Sequence, residues 1–127
     1  MRLLLDTHAV LWHYHAPEQL GTAARDAIES PEHDAIISTA SLWEMAIKAS
    51  LGKLTLADPL PLIVAQYREG GLTVRDVQAE HCMAVQDLPF HHRDPFDRLL
   101  VAVARLEGLS LVSRDAVFDT YGIPRIW

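Results

Sequence analysis

One cysteine, Cys82, stands in 127 residues, so no disulfide can close within the chain and a secreted, disulfide-stapled scaffold is excluded. Lysine is nearly as scarce, with Lys48 and Lys53 the only two. Apolar runs are short: Leu3-Leu4-Leu5 already ends at Asp6, too soon for a signal peptide or a membrane span. These features read as a cytoplasmic protein with no membrane association. The sequence also lacks a G-x-x-x-x-G-K-[ST] loop and a G-x-G-x-x-G turn, so a nucleotide site would have no phosphate cradle. It lacks a G-x-S-x-G nucleophile elbow. Cys82 follows His81, but it reads more simply as a core cysteine than as a nucleophile. The seven histidines give no i, i+4 pair on a helix, which argues against zinc.

What is present is a folding composition, half apolar and 22% charged, at a length that suits one domain over residues 1–127. The 17 acidic side chains outnumber the 11 Lys and Arg, for a net charge of -6. Taken alone, that disfavours a nucleic-acid partner.

Short apolar runs alternate with helical patterns. Leu3–Leu5, Ala35–Ser38, Leu72–Val74 and Leu109–Val112 read as strands, with Arg125–Trp127 as a last edge strand. Between them, helices are expected at Ala9–Tyr14, Thr22–Ser30, Thr39 or Ser41 to Leu51, Asp58–Glu69, Val77–Gln86 and Phe96–Glu107. A short one follows Ser113-Arg114-Asp115 as far as Tyr121. Thr22, Asp94-Pro95, Gly52 and Gly108 supply start and stop signals. Alternation of this kind predicts an α/β fold with a mostly parallel sheet covered on both faces. Ligand sites in such sheets lie beyond the carboxyl ends of the strands.

Four acids fall at that edge. Asp6 follows the first strand and Asp115 the strand ending at Val112, while Glu44 and Asp97 sit in the early turns of helices that start there. Each also has a structural reading. Asp6 and Asp115 can cap helices, Glu44 can pair with Lys48 across an i, i+4 spacing, and Asp97 can favour a helix dipole at N3. Asp94, followed by Pro95, reads as an N-cap. Trp43, Ala46, Ile47 and Leu51 mark a stripe expected to be buried beside Glu44. Asp97 introduces a helix that is apolar nearly all round. Carboxylates so placed are costly to desolvate unless a cation neutralises them. Oxygen donors without cysteine suit Mg²⁺ or Mn²⁺.

At these residues the chain resembles the PIN-domain ribonucleases, and within them the VapC-type toxins of type II toxin–antitoxin systems. Leu3-Leu4-Leu5-Asp6-Thr7-His8 resembles the motif of the first acid, and Ser38-Thr39-Ala40-Ser41-Leu42-Trp43-Glu44 that of the second. His92-Arg93-Asp94-Pro95-Phe96-Asp97-Arg98 is similar to the third motif, and Leu111-Val112-Ser113-Arg114-Asp115 to the fourth. The resemblance spans the chain. It implies a PIN-like three-layer α/β/α sandwich and a catalytic cluster of Asp6, Glu44, Asp97 and Asp115, with Asp6 and Asp97 as direct metal ligands. Thr7, Asp94 and Ser113 would support the cluster. One or two Mg²⁺ or Mn²⁺ ions are implied, as is endonucleolytic cleavage of an RNA such as tRNA that leaves a 5′-phosphate and a 3′-hydroxyl. The implied partners are an RNA substrate, a VapB-type antitoxin that blocks the pocket, and a second copy of the chain. Trp12 and the stretch Leu54–Val64 are candidate antitoxin contacts, with core packing as their other reading.

Two alternatives stand beside this one: a phospho-acceptor receiver-like signalling domain and an inactive PIN-fold binding module. A receiver needs an acid pair after the first strand and a lysine after the fifth, and Asp6 has no acidic neighbour. Intact acids at all four positions weigh against an inactive module. The charge is also uneven. Residues 1–90 hold 12 acids against 6 basic side chains, whereas residues 91–127 hold 5 of each. Arg93, Arg98 and Arg114 flank the third and fourth acids and are candidates for holding RNA phosphates. Binding is therefore expected to be local and metal-dependent, without a broad basic face.

Overall fold

Leu3, Leu4 and Leu5 have no exposed surface, as a strand covered on both faces requires. A computed structural model describes all 127 residues, Met1–Trp127. Five strands form one sheet: β1 (Arg2–Leu5), β2 (Asp34–Ser38), β3 (Thr73–Arg75), β4 (Ser110–Val112) and β5 (Arg125–Ile126). Their order is β3-β2-β1-β4-β5, and every pairing is parallel. The helices are α1 (Thr7–His15), α2 (Thr22–Glu29), α3 (Thr39–Ser50), α4 (Leu60–Glu69), α5 (Ala79–Ala84) and α6 (Pro95–Glu107), with 3₁₀ turns at Pro17–Gln19, Val85–Asp87 and Ala116–Tyr121. No helix is long and apolar enough to cross a membrane.

Side-chain alternation along the strands divides the interior into two cores. Leu3, Leu5, Ile37 and Val112 face a cluster completed by Val10, Ala24, Met45, Ile63 and Tyr67. Leu4, Ile36 and Leu111 face the opposite cluster, with Leu100, Val101, Val103 and Phe118. The result is the expected α/β/α sandwich, with a sheet parallel throughout. Burying a side chain such as Leu4 contributes about 1.5–3 kcal/mol.

Start and stop signals act where their chemistry requires. Asp6, Ser38, Asp94 and Asp115 each accept an amide hydrogen bond as N-caps. Gly108 closes α6 at φ 66°, in the left-handed region that glycine occupies without a Cβ penalty.

Several expectations are revised. Thr22 is the first residue of α2 and Gly21 its cap. The helix of residues 58–69 begins only at Leu60. The segment after Asp115 is 3₁₀ and not α. Cys82 is exposed and its neighbour His81 is buried. On α3 the inward side carries Ala40, Ser41, Glu44 and Met45. Trp43 is 60% exposed and Leu51 62%, so the apolar stripe assigned to the interior lies largely outside. The cause is Glu44, a charged residue that takes an inward position because partners await it there.

Candidate active site

The strand order reverses direction at β1, and the crevice between the carboxyl ends of β1 and β4 is where open α/β sheets place ligands. Asp6 leaves β1 at that point, its amide bonded to the Val112 carbonyl at 3.1 Å. Its Oδ1 accepts the Ala9 amide at 2.8 Å, so the residue caps α1 and also faces the crevice. Burial raises its pKa above the usual carboxylate range. Hydrogen bonds from Ser113 and the Ala9 amide and the nearby His8 work against that rise, and Glu44 adds to it.

Glu44 reaches the same edge from α3. It is 3% exposed, with Oε1 taking the Thr7 hydroxyl at 2.6 Å and Oε2 the Lys48 ammonium at 2.6 Å. The i, i+4 pair foreseen as a surface feature is thus a half-buried contact of the site. Hydrogen bonding to Glu44 is the main cause of the upward shift of the Lys48 pKa, and the charges of Asp94 and Asp97 add to it. Thr7 and Ser113 are buried. The Ser113 hydroxyl oxygen accepts the Asp115 amide at 3.0 Å.

Asp97 comes from the first turn of α6. Asp94 caps that helix, its Oδ1 accepting the amides of Phe96 at 2.8 Å and Asp97 at 3.3 Å. Asp97 is pushed up to about 7, chiefly by burial and then by the charge of Asp94, with Asp6 and Glu44 adding and His92 opposing. Asp115 caps the turn after β4 through the Val117 amide at 3.0 Å. Its other oxygen lies 2.9 Å from His92 Nε2, which is itself 3.1 Å from Asp97 Oδ2.

The fold therefore brings Asp6, Glu44, Asp97 and Asp115 to one crevice, with Thr7, Asp94 and Ser113 beside them. Asp97 and Asp115 offer oxygens that, together with the His92 ring, lie within 4.8 Å of one another. The donors are mostly carboxylate oxygens, and burial first, then neighbouring carboxylates, raise the values at Asp6 and Asp97. Both properties fit a hard divalent cation such as Mg²⁺ or Mn²⁺.

The arginines divide. Arg93 and Arg114 are exposed. Arg98 is 5% exposed, and its guanidinium donates to the carbonyls of Val85, Leu88, Pro89 and His92. Arg98 therefore has no free face for a phosphate, which corrects its reading as a binding candidate. Its spacing from Asp97 could not reveal this, because the partners are carbonyls of a loop with no regular pattern. His92 likewise carries no signal in the sequence: it stands in a loop, where helical ligand spacing says nothing of its neighbours.

Near the crevice, an open cavity of about 310 Å³ is lined by residues that include His8, Leu11, Trp12, Leu54 and Leu56. Leu54, Leu56 and Leu60 also pack against the core, and Ile63 lies within it. The core-packing reading of the stretch Leu54–Val64 is therefore met at Leu54, Leu56, Leu60 and Ile63.

A family model described as PIN domain matches residues 3–124. The chain is similar to ribonuclease VapC22 of Mycobacterium tuberculosis (strain ATCC 25618 / H37Rv), with 32% identity over 123 residues that cover 97% of this chain and 94% of the relative. Among solved structures it is similar to Rickettsia felis VapBC2 bound to a promoter DNA fragment, with a TM-score of 0.74, 15% identity and coverage of 98% and 97%. It is also similar to Mycobacterium tuberculosis VapC20, a sarcin–ricin loop cleaving toxin, with a TM-score of 0.65, 18% identity and coverage of 95% of both chains.

Proposed function

Because the chain belongs to the PIN-domain family, we propose that it is an endoribonuclease toxin, dependent on Mg²⁺ or Mn²⁺ and neutralised by a cognate antitoxin. The observation that carries this reading is the convergence of Asp6, Glu44, Asp97 and Asp115 on one crevice with too little positive charge. Asp97 is driven up to about 7 by burial and by its carboxylate neighbours. A relative named as a ribonuclease, VapC22, shares 32% identity across nearly the whole chain. The complete set of carboxylates weighs against an inactive module, and a receiver domain would lack its acid pair after β1, where Asp6 has no acidic neighbour, and its lysine after the last strand.

Asp6 and Asp97 are assigned as the direct metal ligands, with Asp115 beside Asp97. When bound, one or two divalent cations neutralise the repulsion between carboxylates and phosphodiester, polarise the phosphoryl oxygen and supply a water-derived nucleophile at neutral pH. The chain's own residues prepare that site. Thr7 and Lys48 hold the two oxygens of Glu44 in place, so this carboxylate faces the crevice in a fixed orientation. The Ala9 amide fixes Asp6, with Ser113 beside it, and Asp94 fixes the first turn of α6 and with it Asp97. Arg93 and Arg114 are assigned to the RNA backbone on the rim, as charges that position the strand without reading its bases.

Trp12 and the cavity it shares with Leu54 and Leu56 are assigned to the antitoxin, whose contact there would lie beside His8 and so next to Asp6. A homodimer is the assembly in which we expect the toxin to act.

Purified protein freed of antitoxin is expected to cleave RNA with Mg²⁺ or Mn²⁺ and to lose this in Asp6→Asn and in Asp97→Asn. Unchanged cleavage in excess EDTA would remove the metal from the mechanism. Expression alone is expected to slow growth, and equal toxicity of Asp6→Asn would point away from nuclease action.

A further inference from the structure

His92 is the imidazole inside the acidic cluster, and its position is held from several sides. Arg98 Nη1 donates to the carbonyls of Pro89 at 3.0 Å and His92 at 3.4 Å, while Nη2 donates to those of Val85 and Leu88, each at 3.2 Å. The Tyr121 hydroxyl accepts the His92 amide at 2.9 Å and donates to the Pro89 carbonyl at 2.7 Å. The His92 ring packs against Phe118 with centroids 5.5 Å apart. A buried guanidinium and a buried phenol are thus committed to fixing one short loop.

The ring nitrogens have different neighbours. The Asp94 amide donates to Nδ1 at 3.2 Å, so Nδ1 presents its lone pair and the proton of the neutral ring is on Nε2. Nε2 lies 2.9 Å from Asp115 Oδ2 and 3.1 Å from Asp97 Oδ2. We propose that His92 is a positioning residue of the acidic cluster, a fixed Nε2–H donor that hydrogen-bonds Asp115 and sets it beside Asp97, and not a metal ligand.

Ligation through Nε2 would require a bare nitrogen there and hence a proton on Nδ1. That proton would meet the Asp94 N–H head on, and the amide cannot turn away, because the side chain of the same residue caps α6. Asp94 therefore sets both the helix start through its carboxylate and the tautomer of His92 through its amide. The chain uses the same device elsewhere. The Gln78 amide donates to His81 Nδ1 at 2.9 Å, and His81 Nε2 faces Glu107 Oε2 at 3.3 Å. At both places a backbone N–H two or three residues away occupies Nδ1 and leaves Nε2 toward a carboxylate, within hydrogen-bond distance for His92 and Asp115 but with no hydrogen bond to Glu107 Oε2 at His81. Cation binding is thereby left to oxygen donors, with His92 orienting Asp115 from outside and lying 3.1 Å from Asp97 Oδ2, as carboxylate and imidazole partners commonly orient metal ligands.

The proposal rests on the nuclease reading for its effect on RNA cleavage, but its geometry is tested without it. In protein labelled with ¹⁵N-histidine, the ring resonances of His92 are identified by their absence from His92→Gln. They are expected to show a bare Nδ1 and a protonated Nε2 in metal-free protein and again after Mg²⁺ addition. A bare Nε2 in either state, or protons on both nitrogens, would overturn the proposal. In the wild-type background His92→Ala is expected to lower RNA cleavage about 10- to 100-fold, with His92→Gln, which keeps an N–H donor, recovering part of the loss. Equal losses in the two variants would overturn the donor role. A wild-type protein that cleaves no RNA would instead remove the nuclease reading, while the nitrogen spectrum would still decide the tautomer.

Discussion

Thr7 donates its hydroxyl to Oε1 of Glu44 at 2.6 Å, which ties the first turn of α1 to the second turn of α3 across the floor of the crevice. The bond is buried and its acceptor is paired on the other side with Lys48, so its loss leaves a carboxylate oxygen without a partner. Thr7→Val keeps the shape and removes the hydroxyl. It is expected to destabilise the protein by about 1.5–3 kcal/mol, the usual worth of a hydrogen bond to a charged group. Thr7→Ser is expected to retain most of the stability. Urea unfolding of the two variants provides the check, and a Val variant as stable as wild type would show that the bond contributes little.

Asp97 carries the pH dependence. Its folded pKa, about 7, lies above the ordinary value of 3.8. Between those values the folded state holds a proton that the unfolded state has lost, so stability falls as pH rises through that window, and above about 7 the full cost is present. Asp97→Asn cannot ionise. The metal-free variant is therefore expected to be more stable than wild type at pH 7.5, by about 1–3 kcal/mol, with the advantage shrinking as pH falls toward 4. Mg²⁺ is expected to stabilise wild type, more so at higher pH because the ion competes with the proton, and to leave the variant unaffected. Thermal melts from pH 4.5 to 8 with and without Mg²⁺ test both halves, and an Asn variant that responds to Mg²⁺ like wild type would move the ion away from Asp97.

Much of this arrangement was legible in the sequence because it is encoded locally. Leu3-Leu4-Leu5 announces a doubly covered strand, Asp94-Pro95 announces a helix start, and Gly108 a stop. Asp6 and Asp115 could be placed at one edge once the strands before them were placed. Their two readings did not compete, since each residue caps a helix and also faces the crevice. What stayed hidden depends on distant partners. Glu44 points inward because Thr7 and Lys48 meet it there, which reverses the side of α3 that hydrophobicity alone selects and leaves Trp43 outside, edge-on to Phe96 with centroids 5.2 Å apart. Arg98 is similarly a surface residue by type, and only the carbonyls of the loop before α6 draw it in.

The chain's end offers a second case of a distant partner. Gly21 caps α2 in an extended conformation, and a Cβ at this position would stand 2.7 Å from the carbonyl carbon of Trp127 and 2.8 Å from its Cδ1. Trp127 in turn lies edge-on to Trp12, with centroids 5.7 Å apart. Gly21→Ala therefore has to displace the backbone of the last residue and is expected to cost about 1–3 kcal/mol, as overpacking does. Removing Trp127 from the same variant should abolish that penalty, and a denaturant double-mutant cycle measures the coupling.

Arg93 and Arg98 are five residues apart and are expected to fail in different ways. Arg93 is exposed, so Arg93→Ala should leave stability within about 0.5 kcal/mol while weakening RNA binding and flattening its salt dependence. Neutralising one phosphate contact on a single strand reduces the slope of log K against log salt by about 0.7, and Arg114→Ala should behave alike. Arg98→Ala removes a buried cation from four carbonyls and from the ring of Phe90, which lies 4.1 Å from its guanidinium carbon. The freed carbonyls and the lost packing should together cost more than about 3 kcal/mol, and the loop that presents His92 should loosen. Cleavage by Arg98→Ala is then expected to fall even at low salt, where a missing phosphate contact matters least, because the loss lies in the alignment of Asp97 and Asp115. Binding of a non-cleavable RNA analogue measured across a salt series with Mg²⁺ present, set beside urea unfolding of the same variants, separates the two roles. A slope that flattens in Arg98→Ala with stability unchanged would return Arg98 to the RNA.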